Sequence, residues 1–284
     1  MDFTSIIGLI LGLGLIVFGI VFNDSGFVFS EIGNFISYSS MAITFGGAIA
    51  ATIISFPPSY FKMIPKHLKV IVRKNNYKPK EYIGKIVEFA QEARKKGLLS
   101  LEDKANQESD PFLKNSIMLI VDAIDPAKVK EMLENELNCL EDRHSHGWQF
   151  YEKFASYGPA FGMIGTLIGL INMLKHMDMS ASDGATKMAQ GMSVALITTF
   201  YGSLLANMVL VPIAHKLHMC HDEEMTCKEL IVEGVLAIQA GENPTHIEQR
   251  LNAYLSEGNR QSGSGAPAEN EEKKSKSKKV KKAS

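Results

Sequence analysis

The chain has 284 residues, a formal net charge of −1 and 45% hydrophobic residues. No nucleic-acid partner is expected. Those averages would suit a soluble protein, but they conceal a segregation of residue types along the sequence.

Four stretches contain no Asp, Glu, Lys, Arg or His: Phe3 to Phe22, Ile32 to Phe61, Phe154 to Leu174, and Gly191 to Ala214. Each reaches the roughly 20 residues that a helix needs to cross a hydrocarbon core. Membrane spans are therefore expected at about 3–22, 32–56, 154–174 and 191–214. The first reads as a retained span and not a signal peptide, because only Asp2 precedes it and no small-x-small site follows Phe22. Between residues 57 and 80 lie Lys62, Lys66, Lys69, Arg73, Lys74, Lys78 and Lys80 with no acid among them, which assigns this flank to the cytoplasm. Four spans then put both termini on the cytoplasmic side. Cys139, Cys220 and Cys227 fall in cytoplasmic segments, where thiols stay reduced.

The expected order is a transmembrane hairpin (1–56), a cytoplasmic helical domain (57–153), a second hairpin (154–214), a helical extension (215–257) and a disordered Lys-rich tail (258–284). The fold class is all-α, a polytopic membrane protein with four transmembrane helices and a helical cytoplasmic domain. Pro57 and Pro58 end the second span. Pro79 opens a helix that Gly97 closes. Asp110-Pro111 starts another through Ile124, and Asp125-Pro126 starts one that no breaker interrupts before Gly147, so a single helix is expected to continue into the third span. The fourth span is expected to continue inward to Gly241, with a short helix after Asn243-Pro244. His144 and His146 have no acid or cysteine pattern to complete a metal site and read as exposed helix histidines.

Two faces of small residues mark the second hairpin. Gly158, Gly162, Gly165 and Gly169 recur at spacings of four, three and four; Gly191, Ala195, Thr199, Gly202 and Ala206 follow a similar rhythm. Such faces let backbones approach closely, either within one protomer or at a subunit or pore interface. Thr166 lies roughly 18 Å into the outgoing helix and Thr199 roughly 12 Å from the outer end of the returning one, so both reach nearly the same level, with Thr198 adjoining. Their hydroxyls either bond back to carbonyls one turn earlier or form a polar belt for a cation. No span supplies a titratable group, so a conducting assembly needs a partner helix that brings the acid.

On GPAFGMIGTLIGL from Gly158, GMSVALITTFYGSLLANMVLVPIAHKL from Gly191, ARKKGLLSLE from Ala93 and EDRH from Glu141, the chain resembles the MotA/PomA family of flagellar motor stator subunits, related more distantly to TolQ and ExbB. The resemblance implies an ion channel, with no cofactor and no enzyme activity, that converts inward flow of H+ or Na+ into torque. It also implies a homo-oligomer, five copies around two MotB-type chains whose membrane Asp binds the ion, set in the lipid of the bacterial plasma membrane. Arg94 and Glu102 match the charged pair that contacts the rotor protein FliG. Pro159 and Pro212 match prolines tied to coupling of ion flow with movement, and Thr199 the pore threonine. Thr166 stands where sodium-driven members carry Thr and several proton-driven ones carry Ala.

Overall fold

A computed structural model describes residues 3–23, 26–72, 77–176 and 184–255. The Lys-rich tail expected at 258–284, together with Arg73 and Lys74, lies outside the described residues.

Helix α1 (Phe3–Val21) leads into a short antiparallel pairing of Phe22 with Phe27 and Asn23 with Gly26. A 3-10 segment over Phe29–Phe35 follows. The second apolar helix begins later than the run of uncharged residues suggests, at Tyr38 and not near Ile32, because Ser37 is extended and its side chain caps the helix by accepting from the Ser40 amide. It comprises α2 (Tyr38–Met41), a π turn (Ala42–Gly46) and α3 (Gly47–Ser55). After Pro57 come α4 (Pro58–Phe61) and α5 (Ile64–Val72). Helix α6 (Pro79–Lys96) starts at its proline and stops at Gly97, whose φ of +86° lies in the region that favours glycine. Two short helices follow, α7 (Glu102–Asn106) and α8 (Pro111–Val121). The carboxylate of Asp110 caps α8 by accepting from the amides of Phe112 and Leu113. This helix ends at Val121, short of the expected Ile124, as Ala123 turns to a positive φ of 56°.

Helix α9 (Pro126–Lys175) then runs unbroken for 50 residues. Helix α10 (Gly184–Leu204) passes through a second π turn (Leu205–Leu210) into α11 (Val211–Gln239), and α12 (Pro244–Leu251), capped by Asn243, completes the helices. Among the described residues, three helical runs are long and apolar enough to cross a membrane: Tyr38–Ser55, one within α9, and one within Gly184–Gln239. In α1 the apolar run Ile7–Val21 is shorter.

The chain divides into two compact units, and the division differs from the expected one. Unit one comprises residues 1–77 and 136–225; unit two comprises 78–135 and 226–284. The stretch expected as one cytoplasmic domain, 57–153, contributes residues to both units. In unit one a cluster around Phe150, Tyr151, Ala155, Ala206, Leu210 and Ala214 gathers Phe56, Tyr60 and Phe61 over it. In unit two Ile86, Phe89, Leu101, Leu113, Ile117, Leu133, Leu230 and Ile247 are almost fully buried. Ile86 sits where a side chain on Gly234 would go, its Cγ2 within 2.6 Å of that position.

Candidate functional site

The two small-residue faces meet each other inside the protomer. A Cβ placed on Gly158 would lie 2.8 Å from the Gly202 carbonyl oxygen, and one on Gly202 would lie 2.4 Å from that of Gly158. Further along, a Cβ on Gly169 would come within 2.5 Å of the Gly191 carbonyl oxygen and 2.8 Å of the Ala195 Cβ. The obstacles are backbone and Cβ atoms, which no change of rotamer can move. Gly162 rests against the backbone of Thr198 and Thr199, and Ala206 lies beside Gly158. Of the two uses that close approach permits, packing between α9 and α10 within one chain accounts for these glycines.

Close approach brings Thr166 and Thr199 together. Their hydroxyl oxygens are 3.1 Å apart across the seam. Each also reaches back one turn, Thr166 to the Gly162 carbonyl at 3.0 Å and Thr199 to the Ala195 carbonyl at 3.3 Å. Two hydroxyl protons serve three contacts, so whichever threonine donates to the other leaves its own helix carbonyl free to accept or to coordinate. Thr199 is exposed on the surface of the protomer and Thr166 is half-buried. Oxygens at a rim, with no charge nearby in either helix, form a neutral polar patch suited to a hydrated or partly dehydrated cation.

Thr198, grouped with them in the sequence, sits differently. It is fully buried, and its hydroxyl donates to the Val194 and Ala195 carbonyls at 3.0 and 3.1 Å. Its side chain fills the space over Gly165. Thr198 belongs to the packing of the seam, not to its rim.

A further layer was missed in the sequence. Ser40, Thr44, Ala48 and Thr52, four residues apart, are each at most 1% exposed. The Thr44 hydroxyl donates to the Thr198 carbonyl at 3.3 Å, which ties the second apolar helix to the back of the seam. The recurrence every four residues is the signal that the sequence carries for this row. Tyr201 adds an anchor, donating its hydroxyl to the Phe35 carbonyl and accepting from the Ser37 amide.

Pro159 lies inside α9 beside the Gly158 contact, its Cα 3.2 Å from a Cβ placed on Gly202. Pro212 stands two residues past the last residue of the second π turn, after Val211. Lacking an N–H, it cannot bond the Met208 carbonyl one turn earlier, and the wider turn accommodates that loss.

Arg94 and Glu102 are remote from these threonines in sequence and belong to unit two. Both are exposed, either side of the Gly97 turn, with Leu99 between them 76% exposed. Their neighbours Glu88, Glu92, Lys96 and Lys104 neutralise one another: Lys96 reaches Glu92 at 2.9 Å and Lys104 reaches Glu88 at 3.0 Å. Arg94 and Glu102 enter no ion pair among the described residues. Among the described residues no cluster of three or more metal-ligating side chains occurs.

Residues 104–229 match the model of the MotA/TolQ/ExbB proton channel family. The uncharacterized protein YtxD of Bacillus subtilis is 39% identical over 255 residues, spanning 90% of this chain and 91% of that protein. Motility protein A of Borreliella burgdorferi is likewise 39% identical, over 90% of this chain and 94% of its own length. The solved structure of the flagellar MotAB stator complex from Bacillus subtilis superposes with a TM-score of 0.80 at 31% identity, covering 92% of this chain and 99% of its counterpart. With its apolar helices and these relatives, the chain is a multi-pass membrane protein, and it belongs to the MotA/TolQ/ExbB proton channel family on the side of the motility A proteins.

Proposed function

We propose that this chain is a flagellar motor stator subunit that forms an ion channel with a MotB-type partner and converts ion flow into torque. The observation that carries this reading is the Thr166–Thr199 hydroxyl pair, 3.1 Å apart on the rim of a seam whose helices hold no ionisable group at that level. A neutral rim of this kind needs a guest carboxylate, because a channel with no titratable group of its own has nothing to load. In our reading the chain crosses the plasma membrane four times, with α1 as the first span and both termini in the cytoplasm. Five copies surround two partner helices, each bringing one Asp.

An ion driven inward by the membrane potential gains about 2.3 kcal/mol per charge per 100 mV. Its arrival neutralises the guest carboxylate and removes the penalty of holding that charge against an apolar sleeve. The ring then steps around the partner helices, and Arg94 and Glu102, left uncompensated by their neighbours, push the rotor protein FliG through complementary charge. The ion in this reading is a proton, with sodium the alternative that the Thr166 hydroxyl favours.

Two measurements on swimming cells test the reading. Replacing sodium by choline at fixed membrane potential should leave speed unchanged; a stop assigns sodium. Thr199→Val should reduce torque several-fold while the complex still assembles. Unchanged torque in that variant would remove the threonine rim from the pathway.

A further inference from the structure

Unit one contains a cavity of about 450 Å3 that the ion pathway does not use. Its walls come from α5, from α9 around Gly147 and from the beginning of α11. Lys66 and Arg143 bring permanent positive charge to it, and neither enters an ion pair among the described residues. His67, His144 and His221 add three imidazoles. His144, expected to be exposed, is half-buried, and its Nδ1 meets that of His221 at 3.2 Å, one ring donating to the other.

His67 is pressed against α9 at Gly147, where a Cβ would stand 3.3 Å from its Nε2. Its Nδ1 is buried with no hydrogen-bond partner in the protein. Trp148 supplies an aromatic wall, its ring centroid 5.0 Å from that of His221. Among the described residues of the lining, Glu224 is the one acid. A pocket in the roughly 300–1,000 Å3 range of small-ligand sites, whose Lys66 and Arg143 can donate but not accept, suits an anion rich in acceptor oxygens. Guanidinium and ammonium groups bind phosphate through charge-assisted hydrogen bonds, the guanidinium as a two-pronged fork.

We propose that this cavity binds a phosphate-bearing anion, held by Lys66 and Arg143 with the His67 imidazole completing the cradle. Two sources share that chemistry. Helix α5 sets Lys66 and Lys69 beside exposed Leu68 and Val70, the pattern of a helix lying in a membrane interface, which brings phospholipid head groups within reach. A soluble organic phosphate is the other source.

Trp148 is the sole tryptophan of the chain, so its emission reports on the cavity without labelling. The full chain in zwitterionic detergent is titrated with glycerol phosphate, and in parallel is placed in phosphatidylcholine nanodiscs of rising phosphatidylglycerol content. The expected result is a saturable change of emission in at least one arm. A response to glycerol phosphate assigns the soluble ligand, and a response to phosphatidylglycerol alone assigns the head group. The double variant Lys66→Gln, Arg143→Gln should weaken half-saturation about tenfold or more. Gly147→Ala should weaken it with all charges in place, by displacing His67, whereas Lys69→Gln, outside the lining, should leave half-saturation by glycerol phosphate unchanged. Circular dichroism establishes that each variant is folded, and Gly147→Ala carries the test if the double variant is not. Absence of a saturable change in both arms overturns the proposal, as does wild-type half-saturation in folded variants of the cradle.

Discussion

Gly202→Ala is the most direct test of the seam. The added methyl would stand 2.4 Å from the Gly158 carbonyl oxygen, 2.9 Å from its carbon and 3.2 Å from the Pro159 Cα, all atoms of the opposing helix backbone. Ordinary contact begins at 3.4 Å, so the tightest of these distances must open from 2.4 to 3.4 Å before the methyl fits. Overpacking a well-packed site costs about 1–3 kcal/mol. Because backbone cannot yield by rotamer, the upper end applies. The same opening acts on the 3.1 Å contact between Thr166 and Thr199, one turn away, and takes it beyond hydrogen-bonding range. Gly84→Ala is the control: nothing lies within 4 Å of its Cβ position in mid-α6, and relief of glycine's helix penalty should stabilise by about 0.5–1 kcal/mol. The assay is thermal unfolding of the purified chain in detergent, paired with torque from beads on single motors. A Gly202→Ala protein that melts with wild-type and drives the motor at wild-type torque would refute close packing between α9 and α10.

Thr198→Val should leave torque near wild type while lowering stability by about 1 kcal/mol, since its hydroxyl serves only helix carbonyls inside the seam; the same melts and bead assays read both. Charge reversal at the exposed pair, Arg94→Glu or Glu102→Lys, should impair torque without altering the melting temperature, and rescue by a compensating reversal on the rotor would locate the contact. Burial lowers the pKa of His67 from its ordinary 6.5. The unfolded chain therefore takes up a proton before the folded one does, so the stability at stake is fully present above about pH 6.5 and is lost as pH falls through the lower folded value. Melting between pH 5 and 7.5 should show an acid-side decline that His67→Gln flattens.

Much of this arrangement is legible in the residues. Runs without charge located the apolar helices, because a single ionised side chain is costly in hydrocarbon. Pro79 with Gly97, Asp110 with Pro111, and Asn243 with Pro244 marked helix ends through local chemistry that tertiary structure does not override. Counting 1.5 Å per residue from opposite ends placed Thr166 and Thr199 at a common level. What escaped depends on three-dimensional direction. Adjacent residues on a helix differ by about 100°, so Thr198 and Thr199 share a depth yet face seam and rim. The Thr44–Thr198 contact and the His144–His221 pair join residues far apart in the chain, and spacing within one helix does not reveal the partner.

The π turn over Leu205–Leu210 makes the returning helix something other than a stiff rod. It stores one surplus residue, with Pro212 standing beyond it on the C-terminal side. Were it to pass toward the N-terminal end of α10 through Thr199, that side chain would swing by about 100° while the helix stayed hydrogen-bonded on either side. A hydroxyl could thus be presented or withdrawn by a local change of winding, without prising the glycine contacts apart.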